Sequence, residues 1–326
     1  MILRTPRRAG TVPGAPVRAP PASVSRVSEA MAKVGELELC YETFGDAGAP
    51  PVLLVMGLGT QLVGWPDGFC ATLAGRGFRI IRYDNRDVGR STHLREARPP
   101  TTRQLLRRDR RAAAYTLADM ADDGIGLLDA LGIGDAHVVG ASMGGMIAQL
   151  MAARHPARVR SLASIMSNTG HRWRGMPGLR IYPLFLRRPA RDRQGAIDSA
   201  VEAFRLIGSP GFPFDEGELR SIAERSWDRG HDPAGSARQL AAILVSGDRT
   251  GELRRITAPT VVIHGTKDRM VTPSGARATA HAIPGSELVW IEGMGHDLPR
   301  DAWPRIVDAI EANAARADVP ARRRAA

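Results

Sequence analysis

One short stretch, residues 138–145, constrains the fold of this chain more than any other. An apolar, β-branched run ends at Gly140, Ser142 and Gly144 follow at alternate positions, and a helical run is established by Met146. This order predicts a strand, a very tight turn and a helix, with Ser142 at the apex. Glycine is needed on both sides of the apex because two backbones approach closely there and a Cβ would clash. The turn lifts the serine hydroxyl out of the sheet, beside the free N–H groups at the start of the helix.

The Gly-x-Ser-x-Gly spacing also fits an ordinary strand–helix turn in a chain with 35 glycines, so residues later in the chain must decide its meaning. A nucleophilic serine needs a neighbouring base, and the base needs a group that orients it. Of the histidines after Ser142, only His296 lies in a glycine-rich loop after the last predicted strand. The others are predicted in a helix–strand connection, in a helical insertion, inside a strand or inside a helix: His155, His171, His231, His264 and His281. His296 is therefore the predicted general base.

The orienting acid is expected at the end of an earlier strand. The strand Pro259–Gly265 is followed by Asp268, whereas the strand before it ends without a carboxylate. Asp268 is thus the predicted acid, the alternative being a turn aspartate beside two basic residues. Asp297 is too close to His296 in sequence to be the easier partner.

Two backbone N–H groups are expected to face the oxyanion that forms on the substrate. One is that of Met143, directly after the nucleophile. The other comes from the loop after the apolar strand at 51–56, where Leu58 is the predicted donor and a shift of one residue stays open. Flanking glycines let this backbone approach closely, although any tight loop there would contain them. The segment 84–91 is predicted to brace this loop through hydrogen bonds, without a catalytic role.

The remaining pattern alternates strands and helices, which favours a mostly parallel sheet covered on both faces. The expected organisation is a disordered basic extension at 1–30, a core at 31–168 and 256–316, and a basic tail at 317–326. Between residues 169 and 255 the pattern is helical without strands, which indicates an inserted helical cap. At 326 residues, this fits one large α/β domain with an insertion.

The net charge of +11 raises the question of nucleic-acid binding. The excess lies in the two termini and in two arginine-rich segments, 103–111 and 172–193, rather than on one helix that could read bases. We therefore expect no nucleic-acid partner.

No Cys/His cluster has metal-ligand spacing, so no metal is expected either. The two cysteines, in apolar surroundings, are expected to be buried free thiols.

No apolar run is long enough to span a membrane, and no secretory signal is evident, so a cytoplasmic protein is expected. One apolar run, Ile181–Leu186, is flanked by arginines. It is interpreted in two ways: as packing inside the helical insertion, or as a lip at the pocket mouth that touches lipid. Contact with a membrane surface thus stays open.

Taken together, these motifs resemble the α/β-hydrolase fold-1 family from about residue 37 to 315, least closely in the insertion. Four segments are similar to actinobacterial lipases and esterases and to polyketide methylesterases of the aclacinomycin type: Val55–Gly59, Tyr83–Gly89, Gly140–Met146 and Gly293–Asp297. Many members have His-Gly where this chain has Met56-Gly57. The oxyanion donor is a backbone N–H, so it should survive this change, while the packing of the loop must differ.

The resemblance implies hydrolysis of a carboxylic ester through an acyl-enzyme, with Ser142 as nucleophile, Asp268 as acid and His296 as base. It implies no cofactor, and a small-molecule ester with an apolar acyl or alkyl group as substrate. The same residues also suit a thioesterase or a C–C bond hydrolase. A non-catalytic binding protein of the same fold is disfavoured because all three residues are present. The sequence leaves the oligomeric state open.

Overall fold

Eight strands form one sheet in the computed structural model, which describes residues 25–185 and 189–318. Their order across the sheet is β1-β2-β4-β3-β5-β6-β7-β8. The strands are β1 Arg26–Val34, β2 Leu37–Phe44, β3 Pro51–Val55, β4 Arg79–Tyr83, β5 Ala136–Ala141, β6 Val159–Ile165, β7 Thr260–Gly265 and β8 Glu287–Ile291. β2 pairs antiparallel with β1 and with β4, and every other pair is parallel. The predicted mostly parallel sheet is confirmed.

Helices cover both faces of this sheet. They are α1 Asp67–Ala74, α2 Thr102–Arg107, α3 Leu117–Ala130, α4 Met143–Arg154, α5 Tyr182–Phe185, α6 Arg193–Ile207, α7 Glu216–Arg229, α8 Pro233–Ser246, α9 Thr250–Leu253, α10 Pro273–Ala282 and α11 Trp303–Asp318. One buried cluster joins α3 and α4 to the sheet, and a second joins α1 and α11 to its other face. The interior strands β5 and β7, each paired on both sides, are buried along their whole length, as their apolar sequences require.

Both ends of the chain are more regular than the sequence analysis expected. β1 begins at Arg26, inside the segment predicted to be disordered, and pairs antiparallel with β2. Its side chains are mostly exposed, so the local pattern gave no strand signal, and the partner strand supplies its hydrogen bonds. At the other end α11 continues to Asp318, inside the predicted tail. Residues 1–24 and 319–326 lie outside the described part of the chain.

The chain between β6 and β7 holds α5 to α9, with no strand among its described residues. We treat these helices as a cap, a proposal supported by the cavity that they share with the strand ends. The apolar run Ile181–Leu186 divides in the structure. Ile181 is completely buried, whereas Tyr182 is exposed. The interpretation of the whole run as a lipid-contacting lip is thus wrong for Ile181, which anchors the segment, while residues 186–188 lie outside the described part.

Among the described residues, no helix combines the length and the apolar character needed to cross a bilayer. Cys40 and Cys70 are both buried and free, as expected from their apolar surroundings. Burial raises the pKa of each thiol to about 12, so neither is a thiolate at neutral pH.

Candidate active site

Ser142 stands at the junction between β5 and α4 in a strained backbone conformation. Its φ is +56° and its ψ −119°, a region that residues with a side chain rarely adopt. The flanking glycines make this turn sterically feasible. A Cβ on Gly140 would lie 2.1 Å from the carbonyl oxygen of Gly144, and one on Gly144 would lie 2.0 Å from that of Val55. The short sequence pattern therefore encodes the close contact between β3, β5 and α4.

The structure brings Ser142, His296 and Asp268 into one hydrogen-bonded chain. Nε2 of His296 lies 3.0 Å from Oγ of Ser142, and Nδ1 lies 2.8 Å from Oδ2 of Asp268. Since a carboxylate only accepts, Nδ1 carries the proton and Nε2 is left to accept from the serine hydroxyl. The imidazole is thus held in the tautomer that a general base requires. The three residues come from loops after β5, β7 and β8.

Hydrogen bonds on both carboxylate oxygens fix the position of Asp268 next to His296. Its side chain is completely buried, and its second oxygen, Oδ1, accepts hydrogen bonds from the amides of Met270 and Val271 at 2.9 Å each. These two amides fix the orientation of the carboxylate.

His264, which the sequence analysis set aside because it lies inside a strand, supports the same turn. Its Nε2 donates to the carbonyl oxygen of Val271 at 2.8 Å and lies 3.5 Å from Oδ2 of Asp268. Burial lowers the pKa of His264, so the ring is neutral at neutral pH. Its role in the turn was not visible from the sequence, because it depends on how the loop folds back on β7.

Asp297 is bonded away from its neighbour His296. Its Oδ1 accepts from the hydroxyl of Ser209, which in turn accepts from the amide of Gly295 at 2.8 Å. Burial raises the pKa of this carboxyl group. In addition, the amide of His296 donates to the carbonyl oxygen of Ile207 at 2.8 Å. The histidine loop is therefore fastened to the end of α6.

The predicted oxyanion donors lie beside the serine. In the described part of the chain, the amides of Leu58 and Met143 donate to no protein acceptor. The loop that carries Leu58 passes close to the nucleophile, since a Cβ on Gly57 would lie 3.2 Å from the Cβ of Ser142. The next amide, that of Gly59, is already engaged. A shift of the register to Gly59 is therefore disfavoured, and Leu58 stays the predicted donor.

A residue that the sequence analysis missed holds this loop from the insertion. Gln239 on α8 is completely buried, accepts from the amide of Gly59 at 2.8 Å, and donates to the carbonyl oxygen of Arg86 at 2.8 Å. On the core side, Asn85 donates to the carbonyl oxygen of Met56 at 3.0 Å. The backbone on both sides of Leu58 is thereby fixed.

The loop after β4 braces the site, as predicted, and also anchors the insertion. Asp84 accepts from the amide of Leu62 at 2.7 Å, and it forms an ion pair with Arg229 on α7. Asp87 receives two hydrogen bonds from Arg238 on α8, at 2.7 and 2.8 Å. Both aspartates are completely buried. Breaking either pair would leave a buried carboxylate without its oppositely charged partner, so these contacts hold the insertion against the core.

Three residues near this loop have ligand atoms close enough to surround a metal ion: Asp87, His93 and Asp232. Their donor atoms are already used, however. Arg238 contacts both carboxylates, and Nδ1 of His93 lies 2.7 Å from Oδ2 of Asp232. The guanidinium supplies the positive charge here, so the arrangement is an ion-pair network rather than a metal centre.

Above the serine lies a cavity of about 860 Å³. Its floor includes Leu58, Ser142 and His296, and its walls include side chains from α6 and α7. Most of these wall residues are apolar: Ala196, Ala200, Phe204, Ile207, Leu219, Ile222, Ala223 and Trp227. A cavity of this volume suits an organic molecule of considerable size whose surface is mainly apolar.

Comparisons with known proteins find methylesterases among the relatives of this chain. The chain is 31% identical to rhodomycin D methylesterase DauP of Streptomyces sp. (strain C5), covering 87% of this chain and 97% of that protein. It is 30% identical to a pimeloyl-[acyl-carrier protein] methyl ester esterase of Xanthomonas campestris, over 48% of this chain and 62% of the relative.

Among solved structures, the enol-lactonase of Burkholderia xenovorans LB400 is similar, with a TM-score of 0.63 and 25% identity over 88% of this chain and 99% of the other. A sequence profile of the family described as alpha/beta hydrolase fold matches residues 50–299. The chain therefore belongs to the α/β hydrolase fold family.

Proposed function

We propose that this protein hydrolyses carboxylic esters of small molecules through an acyl-enzyme formed on Ser142. The observation that carries the proposal is the unbroken hydrogen-bonded chain from Ser142 through His296 to Asp268, with separations of 3.0 and 2.8 Å. The two methylesterases described above as relatives support the same class of reaction.

In the proposed acylation step, Oγ of Ser142 attacks the ester carbonyl carbon while Nε2 of His296 takes the hydroxyl proton. Asp268 stabilises the resulting imidazolium. The carbonyl oxygen becomes an oxyanion that accepts from the amides of Leu58 and Met143, each worth roughly 3 kcal/mol to the transition state. His296 then gives its proton to the departing alcohol, and the C–O bond breaks. Water repeats the sequence in deacylation and releases the acid.

For the substrate we propose an ester with an apolar acid part and a small alcohol such as methanol. The apolar walls and the volume of the cavity favour a large acyl part that is buried against α6 and α7. The names of the relatives DauP and the pimeloyl-[acyl-carrier protein] esterase both specify methyl esters, which supports a small leaving alcohol.

Hydrolysis of p-nitrophenyl esters with acyl chains from C2 to C16 tests the proposal. Ser142→Ala should lower kcat/KM about a thousandfold or more while the protein stays folded. Ser199→Ala is the matched control, because Ser199 lines the same cavity but is not bonded to His296, and its activity should stay within a few fold of wild type. If Ser142→Ala retains wild-type activity, the proposal is wrong.

If the wild-type protein hydrolyses no p-nitrophenyl ester of any acyl chain length and no methyl ester of a bulky acid, the proposed esterase activity is also contradicted. The thioesters and the vinylogous diketones cleaved by C–C hydrolases would then be the next substrates to test. Both classes suit the same nucleophile and base, so the substrate alone separates them.

A further inference from the structure

Exposed apolar side chains concentrate in one short stretch outside the proposed catalytic site, which we call the basic apolar surface and define as residues 172–182. Four of the eight large apolar side chains most exposed among the described residues lie there, at intervals of three. They are Trp173 (73% exposed), Met176 (39%), Leu179 (89%) and Tyr182 (44%). None of them lines the cavity. Scattered exposed apolar residues need no explanation, but a concentration of this kind indicates a contact surface.

Three arginines lie next to these apolar side chains in the sequence. Arg172, Arg174 and Arg180 are exposed, and none forms an ion pair with a described carboxylate. The sequence contains no acidic residue from 136 to 191. The guanidinium of Arg172 lies 4.7 Å from the ring centre of Trp173, which keeps a charge and an aromatic face together. The surface therefore combines apolar area with positive charge that no carboxylate in the described part of the chain neutralises.

The backbone under this surface is tied to the core. Ile181 is completely buried. The amide of Gly178 donates to the carbonyl oxygen of Arg269 at 2.8 Å, and the hydroxyl of Thr272 donates to that of Met176 at 3.0 Å. These contacts belong to the loop that follows Asp268 in sequence. The exposed side chains are thus presented on a fixed support.

We propose that the basic apolar surface binds the surface of an anionic lipid membrane. Arginine heads would contact lipid phosphates, while Trp173 and Leu179 would enter the boundary between headgroups and acyl chains. Such a contact needs both apolar area and unneutralised positive charge in one place, and this stretch supplies both.

Two other partners fit less well. A symmetric pair of this chain would bring two arginine-rich surfaces together on molecules that each carry a net charge of +11. A nucleic acid would satisfy the arginines but would leave exposed aliphatic side chains such as Leu179 without a partner. Membrane contact would also serve the proposed function, because an apolar ester partitions into lipid. The basic apolar surface is also close to the cavity in sequence, since Pro189 and Ala190 follow it in the chain and line the cavity.

The test is binding of the full-length protein to phosphatidylcholine vesicles with and without 30% phosphatidylglycerol, measured by flotation. One variant removes the three charges (Arg172→Gln, Arg174→Gln, Arg180→Gln), and a second removes the apolar contacts (Trp173→Ser, Leu179→Ser). The matched control carries Leu106→Ser, Arg107→Gln and Arg111→Gln. Leu106 is 81% exposed and also lies among exposed arginines, but elsewhere on the surface. All variants keep both basic termini.

The wild-type protein should bind the anionic vesicles and lose most of this binding in 0.5 M NaCl. Each arginine near the membrane contributes roughly fivefold, so the charge variant should bind about 100-fold more weakly. The apolar variant should bind at least tenfold more weakly, and the control should bind like wild type. All variants should keep the wild-type melting temperature and turnover of a soluble p-nitrophenyl ester, since none of the changed residues lines the cavity.

Three results would overturn the proposal. The first is no binding of the wild-type protein to anionic vesicles, the second is equal loss in the control variant, and the third is retention on a DNA duplex with no binding to either vesicle. None of these results depends on ester turnover, so a failed membrane proposal is distinguishable from a failed esterase proposal.

Discussion

Replacing Gln239 by alanine tests whether the helical insertion sets the position of an oxyanion donor. The glutamine joins α8 to two backbone groups of the core, the amide of Gly59 and the carbonyl of Arg86, each at 2.8 Å. Gly59 follows Leu58 directly, so the hydrogen bond from its amide limits how far the Leu58 amide can turn. Without the side chain, the backbone gains freedom at Gly59, the residue next to the proposed donor.

The magnitude follows from the contacts. Loss of a whole oxyanion donor costs roughly 3 kcal/mol in the transition state. Asn85 still holds Met56, two residues before Leu58, so the loop should be displaced rather than released. We expect a loss of about 1–2 kcal/mol, which is a roughly 5- to 30-fold fall in kcat. Two lost hydrogen bonds should also lower the free energy of unfolding by about 2 kcal/mol.

The assay is steady-state hydrolysis of p-nitrophenyl butyrate, together with inhibition by a boronic acid that forms a tetrahedral adduct with the serine. For Gln239→Ala, kcat should fall with little change in KM, and the inhibition constant should rise by about the factor by which kcat/KM falls. Gln149→Ala is the control, because Gln149 is also completely buried but donates to Ser164 instead. It should lose stability and keep its kcat. A kcat for Gln239→Ala within twofold of wild type would refute the reasoning.

Three further substitutions test separate parts of the structure. Asp268→Asn should lower kcat/KM by roughly 10³–10⁴, because the amide no longer enforces the required imidazole tautomer; a loss below tenfold on a p-nitrophenyl ester would contradict this role. Gly144→Ala places a Cβ 2.0 Å from the carbonyl oxygen of Val55 and should cost several kcal/mol in urea unfolding, so an unchanged midpoint would contradict the close contact. Burial lowers the pKa of His137 to about 4, so between pH 6.5 and pH 5 the unfolded state binds the extra proton. Stability should therefore fall by about 2 kcal/mol over this range, and His137→Asn should flatten the fall; an identical pH dependence in the variant would contradict the assignment.

The parts of the site that follow local patterns were predictable from the sequence. A strand–glycine–serine–glycine–helix pattern leaves little choice for the position of Ser142. The loop residues Asp268 and His296 each follow a strongly apolar strand, and parallel strands bring their carboxyl ends to the same edge of the sheet. These three residues are the ones that the structure joins by hydrogen bonds.

Contacts between the insertion and the core were not predictable. Gln239 reaches Gly59 across 180 residues of sequence, and Arg229 reaches Asp84 across 145. Helical periodicity shows which face of a helix is apolar, but it does not show where the helix docks. The short helix α2 is a different case, since its capping box from Thr101 to Gln104 is a local pattern that the sequence itself displays.

The most direct test of the central claim is covalent trapping of the nucleophile. The full-length protein is treated with a p-nitrophenyl phosphonate, which is attacked as an ester would be but leaves a stable adduct, and the modified residue is located by peptide mapping with mass spectrometry. The account predicts one equivalent of p-nitrophenolate per protein, an adduct on Ser142, and no adduct in Ser142→Ala. An adduct on another residue, or none in the wild-type protein, would contradict it.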